Sequence, residues 1–436
     1  MRFLGRRPRV ACPSPALTLV AAAAVWGAEA RAQSAPVLRP VTRAEAVASA
    51  LDRGTTALVG RADTAAARAQ LTIARARPNP TLSTSYTGAA PQLHAIVDVP
   101  FDLPGLRRLR VGSAQSTYEA SRLQFAYTRA TVRYDVEVAY GQALAAGERA
   151  TLSRQTARDA DSLLALVRIQ RTAGDASDLD VDLAAINAGN QTNAATTDSL
   201  AAVVAVLDLQ TLMGLPSDRP VIALAESLPA LIASAAGADS AAPARAPGLT
   251  TGQPSIAATA QPLQVAAAAA TYQAQDFALG LARQRNSLTP SVQLGVEGRD
   301  PTGGQRGALP LVGVSVPLPL FNHFQGDVAL AAADRARAEA LLEGARRTAA
   351  GAVARARRDL ALGQARLALD RRLLETARTV AAKTLVGYRA GASALPAVLQ
   401  AQRAVRDAFA QYATDAVTAS NAAAAVRLST ATATSP

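Results

Sequence analysis

Only two stretches of this chain alternate apolar and polar positions in the manner of strands. One comprises Thr81–Thr87 and His94–Phe101; the other comprises Ser291–Glu297 and Leu311–Leu318. In the second, Val292, Leu294 and Val296 alternate with Gln293, Gly295 and Glu297, and Val312, Val314 and Val316 flank Gly313 and Ser315. A period of two puts the apolar residues on one face of a strand. Turn-rich segments, Gly88–Gln92 and Gly298–Gly307, separate the members of each pair, so residues 81–101 and 291–318 are predicted to be β-hairpins. Both end at Val-Pro, with Pro100 and Pro104 after the first and Pro317 and Pro319 after the second. Proline cannot donate into a ladder but suits the first turn of a helix, so these four residues mark strand-to-helix junctions.

The rest of the chain has helical periodicity. Thr42–Arg53 and Thr55–Arg77 predict two helices before the first hairpin. A proline-free run from Leu106 to about Thr172 predicts a helix roughly 100 Å long. Along it Leu123, Tyr127, Ala130, Tyr134, Val138, Gly141 and Ala145 form a coiled-coil-like stripe. A break at Ala173–Ser177 is followed by helix from Asp178 to near Gly214. Residues 228–262, rich in Ala, Pro, Gly and Ser, are predicted to be a linker or belt. The order then repeats. A helix runs from near Gln264 to Asn286, and the second hairpin follows it. A long helix from about Asp327 to Arg389 leads to a break at Ala390–Ser393 and a last helix to about Leu428. Val97-x-Val99-Pro100 matches Val314-x-Val316-Pro317 at an offset of 217, and Gly174 matches Gly391 at the same offset. The chain is therefore read as a tandem duplication, residues 33–227 and 263–436, whose long helices have equal length.

Composition supports close helix packing: alanine dominates, and aromatics are only 4%. Arg2, Arg6, Arg7 and Arg9, an apolar run from Ala16 to Trp26 and the small-x-small Ala30-Arg31-Ala32 predict a signal peptide over residues 1–32. Its removal takes away five Arg and one Glu, lowering the net charge from +12 to +8. Cys12, the only cysteine, goes with it, so disulfide and thiolate chemistry are excluded. No run of eighteen apolar residues is found after the signal, so no transmembrane helix is expected. An exported chain with dispersed arginines is not expected to bind nucleic acid.

Four strands cannot close a barrel alone, and lipid tolerates no open sheet edge. Two copies would supply eight strands and three would supply twelve, and only the larger barrel leaves a lumen. The expected fold is thus mainly α with a small β part: an internally duplicated long-helix coiled-coil tunnel plus four membrane strands per chain, contributing to a trimeric twelve-stranded outer-membrane β-barrel.

At RARPNPTLS (75–83), VPFDLPGLRRLRV (99–111), LTPSVQLGV (288–296), VSVPLPLFNHFQG (314–326), AGDASDLDV (173–181) and YRAGASALPAVLQAQ (388–402) the chain resembles the TolC-type outer-membrane efflux proteins. PLPLFNHFQG looks most like the heavy-metal cation efflux branch. The resemblance implies a homotrimer in the outer membrane of a Gram-negative bacterium. It also implies a periplasmic adaptor (membrane fusion) protein and an inner-membrane pump of the resistance-nodulation-division type as partners. It implies adaptor-docking and gating tips at the two glycine-centred turns: Arg171, Gly174, Ser177 and Leu179 at one, Tyr388, Arg389, Gly391, Ser393 and Leu395 at the other. Where the family often places aspartates after the second turn, this chain has Ala397 and Gln400. Asp175, Asp178, Asp180 and Asp182 crowd the first tip instead. They are read either as a cation-attracting pore mouth or as helix capping and dipole compensation.

No enzyme signature, cofactor motif or metal cluster is found in the sequence. His94 and His323, the only histidines, stand at strand boundaries and are read as surface residues. Three functions stay open: an efflux duct for metal cations or small toxic compounds, a type I secretion exit for polypeptides, and a non-conducting periplasmic scaffold.

Overall fold

A computed structural model describes residues 38–89, 92–236, 261–284, 290–298, 307–316 and 321–432. The predicted signal peptide, most of the predicted linker and the junction residues Pro317 and Pro319 lie outside the described residues. In chain order the elements are β1 (Arg39–Val41), α1 (Arg43–Arg53), α2 (Thr55–Arg75), β2 (Thr81–Tyr86), β3 (Leu93–Pro100), α3 (Pro104–Ala173) and α4 (Asp178–Leu212). They continue with β4 (Ile222–Leu224), α5 (Leu228–Ala236), α6 (Leu263–Gln284), β5 (Ser291–Gly298), β6 (Leu309–Ser315), α7 (Gln325–Arg389) and α8 (Leu395–Thr430).

Local chemistry explains the boundaries. Thr42 caps α1: its hydroxyl accepts from the Glu45 amide at 3.3 Å while the Glu45 carboxylate accepts from the Thr42 amide at 2.9 Å. Pro104 occupies the first turn of α3, whose 70 residues span about 105 Å. The turns that follow the two long helices keep the register, because α4 and α8 begin at Asp178 and Leu395, 217 positions apart. The starts of the long helices do not. α7 starts at Gln325 and has 65 residues, against the equal lengths expected. Phe324 there has φ 57°, and its amide donates to the Asn322 side chain at 2.9 Å, so the chain turns before the helix starts.

Two antiparallel hairpins of long helices, α3 with α4 and α7 with α8, form the body, and α2 and α6 pack along α3. On α7 the buried positions Leu342, Ala345, Ala349, Ala356, Leu360, Gly363, Leu367, Asp370 and Leu374 trace one stripe in steps of three, four and seven. The stripe predicted on α3 behaves differently. Its members up to Val138 are only half-buried, whereas Val132, Val136 and Tyr140 are fully covered. These three face a core formed with Val41, Val47, Leu209, Met213 and Ile222, which the helical period alone did not reveal.

That core is closed by a two-stranded parallel sheet, β1 with β4, which the sequence did not signal because each strand is only three residues long. Tyr140, fully buried, donates its hydroxyl proton to the Val41 carbonyl at 3.0 Å and accepts from the Glu226 amide at 3.3 Å. Tyr140→Phe is expected to cost about 1–3 kcal/mol, because the Glu226 amide loses this partner; urea unfolding of the purified protein measures it. The segment predicted to be a linker opens with helix α5, which lays Leu228 and Leu231 against Ala413, Ala416 and Ala419 of α8. Apolar residues at positions 228 and 231 suffice to anchor it there.

Candidate functional site: sheet and helix tips

The second sheet has the order β2-β3-β5-β6, antiparallel throughout. Directly opposed residues share a face, so its register sorts the side chains. Leu82, Tyr86, Leu93, Val97, Val99, Val292, Leu294, Val296, Val312 and Val314 lie on one side. All are exposed, Val312 by 75%. The other side carries Thr81, Ser83, Ser85, His94, Asp98, Gln293, Glu297 and Ser315, with Ile96, Leu309 and Leu311 among them. On that face His94 Nδ1 meets Glu297 Oε1 at 3.1 Å across the β3–β5 seam. His94 is therefore partnered within the sheet, with 20% of its side chain still exposed. β2 and β6 each have one neighbour among the described residues, which leaves one open edge on each.

The tips lie at the far end of the long helices. Gly174 has φ 89°; its amide donates to the Arg171 carbonyl at 3.1 Å, and the Asp175 amide donates to the Gln170 carbonyl at 2.8 Å. Gly391 has φ 70°; its amide donates to the Tyr388 carbonyl at 3.0 Å, and the Ala392 amide donates to the Gly387 carbonyl at 2.8 Å. The two closures are the same left-handed helix stop, reproduced bond for bond. They also touch. Tyr388, Leu395, Val398 and Leu399 pack with Leu163, Val167 and Ala184, and the Tyr388 hydroxyl donates to Gln170 Oε1 at 2.8 Å. Burial, reinforced by the Asp180 charge, pushes the Tyr388 phenol above its ordinary range. Tyr388 and Leu395 thus hold the tips together from inside, Ser393 is half-buried, and Arg171, Ser177, Leu179 and Arg389 face outward.

The four tip aspartates separate into kinds. Asp180 closes a capping box with Ser177: the Ser177 amide donates to its carboxylate at 3.1 Å and its own amide donates to the Ser177 hydroxyl at 3.1 Å. Asp178 takes two bonds from Arg171, at 2.6 and 3.1 Å. Those bonds and the arginine's charge hold its carboxyl below the usual range, so the pair persists at neutral pH and opens only in acid. Asp175 and Asp182 are exposed. Ala397 and Gln400 are exposed on the opposite tip. Among the described residues no group of three or more His, Cys, Asp or Glu side chains could hold a metal ion.

Among the described residues one helix, α4, is long and apolar enough to cross a membrane, by length and composition alone. Its apolar residues are spread over its surface. Ile186, Leu200, Val203 and Val204 are exposed while the opposite face pairs along α3.

Residues 47–215 match the family model of the outer membrane efflux protein. A comparison with the curated proteins finds no match. Among solved structures, the chain is similar to the CmeC outer membrane channel of Campylobacter jejuni, with TM-score 0.72, 14% identity, and 89% of this chain and 85% of that one covered. It is also similar to the outer membrane protein VceC of Vibrio cholerae, with TM-score 0.68, 15% identity, and coverage of 89% and 95%. A membrane protein from Pseudomonas aeruginosa matches with TM-score 0.69, 20% identity, and coverage of 90% and 91%. Residues 47–215 thus resemble the outer membrane efflux protein family, and the chain as a whole shares the fold of the outer-membrane channels CmeC and VceC.

Proposed function

We propose that three copies of this chain form an exit duct through the outer membrane of a Gram-negative bacterium. The duct is passive and is opened by a periplasmic adaptor and an inner-membrane pump of the resistance-nodulation-division type. Its cargo is metal cations or small toxic compounds. The observation that carries this reading is the four-stranded sheet, with one exposed apolar face and, among the described residues, two unpaired edges. In water such a sheet would aggregate, whereas in lipid its apolar face is satisfied and only its edges need partners. β6 runs antiparallel to β2, so β6 of one copy can pair with β2 of the next. The apolar surface of α4 supports a second contact between neighbouring copies.

Within this reading, residues 1–32 are the cleaved leader, residues 33–227 and 263–436 are the two repeats, and residues 228–262 belt the tunnel. Arg171, Ser177, Leu179 and Arg389 are the adaptor contacts, and Asp175 and Asp182 are the acids left to draw cations to the mouth.

Membrane fractionation tests it. The protein is expected in the outer-membrane fraction, resistant to high salt, released by detergent, and running as a trimer on gels unless heated. Release by salt as a folded monomer would defeat the proposal. Deletion of the gene followed by challenge with a panel of metals and drugs identifies the cargo.

A further inference from the structure

Midway along the second helix hairpin two acids are buried where nothing in the duct requires them. Asp370 on α7 is 7% exposed and Asp415 on α8 is 6% exposed, in a single chain; further copies can only cover them more. They lie near a close approach of the two helices, where a Cβ on Gly363 would sit 3.1 Å from the Cα of Ala419. Leu367 packs there against Ala413, Ala416 and Ala419. α7 and α8 pack along each other here, and the Asp415 side chain acts on the Asp370 carboxyl across that seam. Asp415 Oδ2 accepts from the Gln411 amide at 2.9 Å, and Asp370 Oδ2 has no partner.

The duplication explains what is missing. Subtracting 217 takes Arg366, Asp370 and Asp415 to Arg149, Ser153 and Asp198. In the first hairpin the buried Ser153 hydroxyl donates to Asp198, and Arg149 pairs with the same carboxylate at 3.2 Å. One acceptor has a donor and a counter-charge. In the second hairpin the donor has become another acid. Two ionised carboxylates can only accept, so facing each other in a dry seam they repel and leave an oxygen orphaned. A single proton removes both problems, because a protonated Asp370 donates where the serine hydroxyl donates in the first hairpin.

We infer that Asp370 holds a proton that it donates toward Asp415, and that this makes a proton-dependent clasp between α7 and α8, fastened while the proton is held and loosened when it leaves. The surroundings agree. Burial, followed by the hydrogen bond to Asp415 and that residue's charge, pushes the Asp370 carboxyl up, against a smaller opposing pull from Arg366 one turn back on α7. α5, which also covers this part of α8, has no ionisable side chain. α3 presents Leu144 and Ala145 here; its Arg149 is held by Asp198, and its Glu148 lies in a neighbouring cleft with Arg371 and Arg378. The sign follows from linkage. A carboxyl whose folded pKa is raised stabilises fully in acid, and that contribution declines as pH climbs from the ordinary carboxylate range to the raised value.

Hydrogen exchange on the full-length protein in detergent tests this, because the first hairpin is an internal reference. After correction for intrinsic rates, protection of amides flanking Asp370 and Asp415 is expected to fall with rising pH, by at most about tenfold per unit. Protection around Ser153 and Asp198 should stay level. Asp370→Ser, which installs the first hairpin's arrangement, and Asp370→Asn are each expected to abolish the slope. The infrared carbonyl band of a protonated carboxylic acid should be present in the wild type and weaken in Asp370→Asn, a change that a purely structural role would not cause. Equal slopes in the two hairpins, or a slope that survives Asp370→Asn, overturns the inference; if Asp370→Ser does not fold, the Asn variant and the infrared band still decide it.

Discussion

Leu294→Arg is expected to destabilise the membrane-inserted protein by about 2–4 kcal/mol per copy, the cost of a cation at the lipid face of a barrel. Leu294 is central to β5, with Val97 opposite on β3 and Val312 opposite on β6, and it is 49% exposed. Among the described residues nothing covers the rest of it, and in the proposed duct that surface meets lipid. The next residue supplies the control. Gln293 lies on the polar face beside Asp98, to which its side chain donates at 3.4 Å. Gln293→Arg is expected to insert and fold nearly as the wild type does, since alternate positions of one strand meet different solvents. Urea unfolding of the reconstituted protein compares the two. Equal costs for both substitutions would mean that the sheet does not separate lipid from water.

The second large effect is at Gly391. Its φ of 70° is left-handed, and nothing lies within 4 Å of where a Cβ would sit. The penalty for a side chain there is conformational and not steric: about 1–2 kcal/mol for an ordinary residue and more for a β-branched one. Gly391→Val is therefore expected to distort the tip, while Gly391→Asn, which tolerates this backbone, should be mild. The sheet is about 100 Å away along α7, so trimers and membrane insertion should survive both changes. Export, read as sensitivity of cells to the cargo compounds, should fail in the Val variant only. Undiminished export from that variant would refute the role assigned to the turn.

Elements with strong local patterns were legible in the sequence. The hairpins showed as period-two alternation, and the helix ends at Gly174 and Gly391 showed because glycine is the residue that stops a helix in this way. Features that depend on distant residues were not. Strands β1 and β4 are too short to have a period and exist because Arg39–Val41 and Ile222–Leu224 find each other. The early turn at Phe324 depends on an Asn322 side chain and not on propensity. The tip readings were partial for a similar reason. Tyr388 and Leu395 stand beside the glycine turn in sequence, but which way they point was decided by Leu163 and Val167 on the other hairpin. The acid pair went unread although the signal was present. The 217-residue offset, applied one residue at a time, sets Asp370 against Ser153.

The seam between β3 and β5 has a consequence for biogenesis. Its first pair joins Pro100 to Ser291, 191 positions apart, with the whole first helical hairpin between them. Isolated two-stranded ribbons are marginal in water, and contacts so distant form slowly. The first ribbon must therefore stay unsealed, its valines open to solvent, until synthesis of the later half supplies its mate. Truncation before residue 291 leaves a polypeptide with no means of completing this sheet.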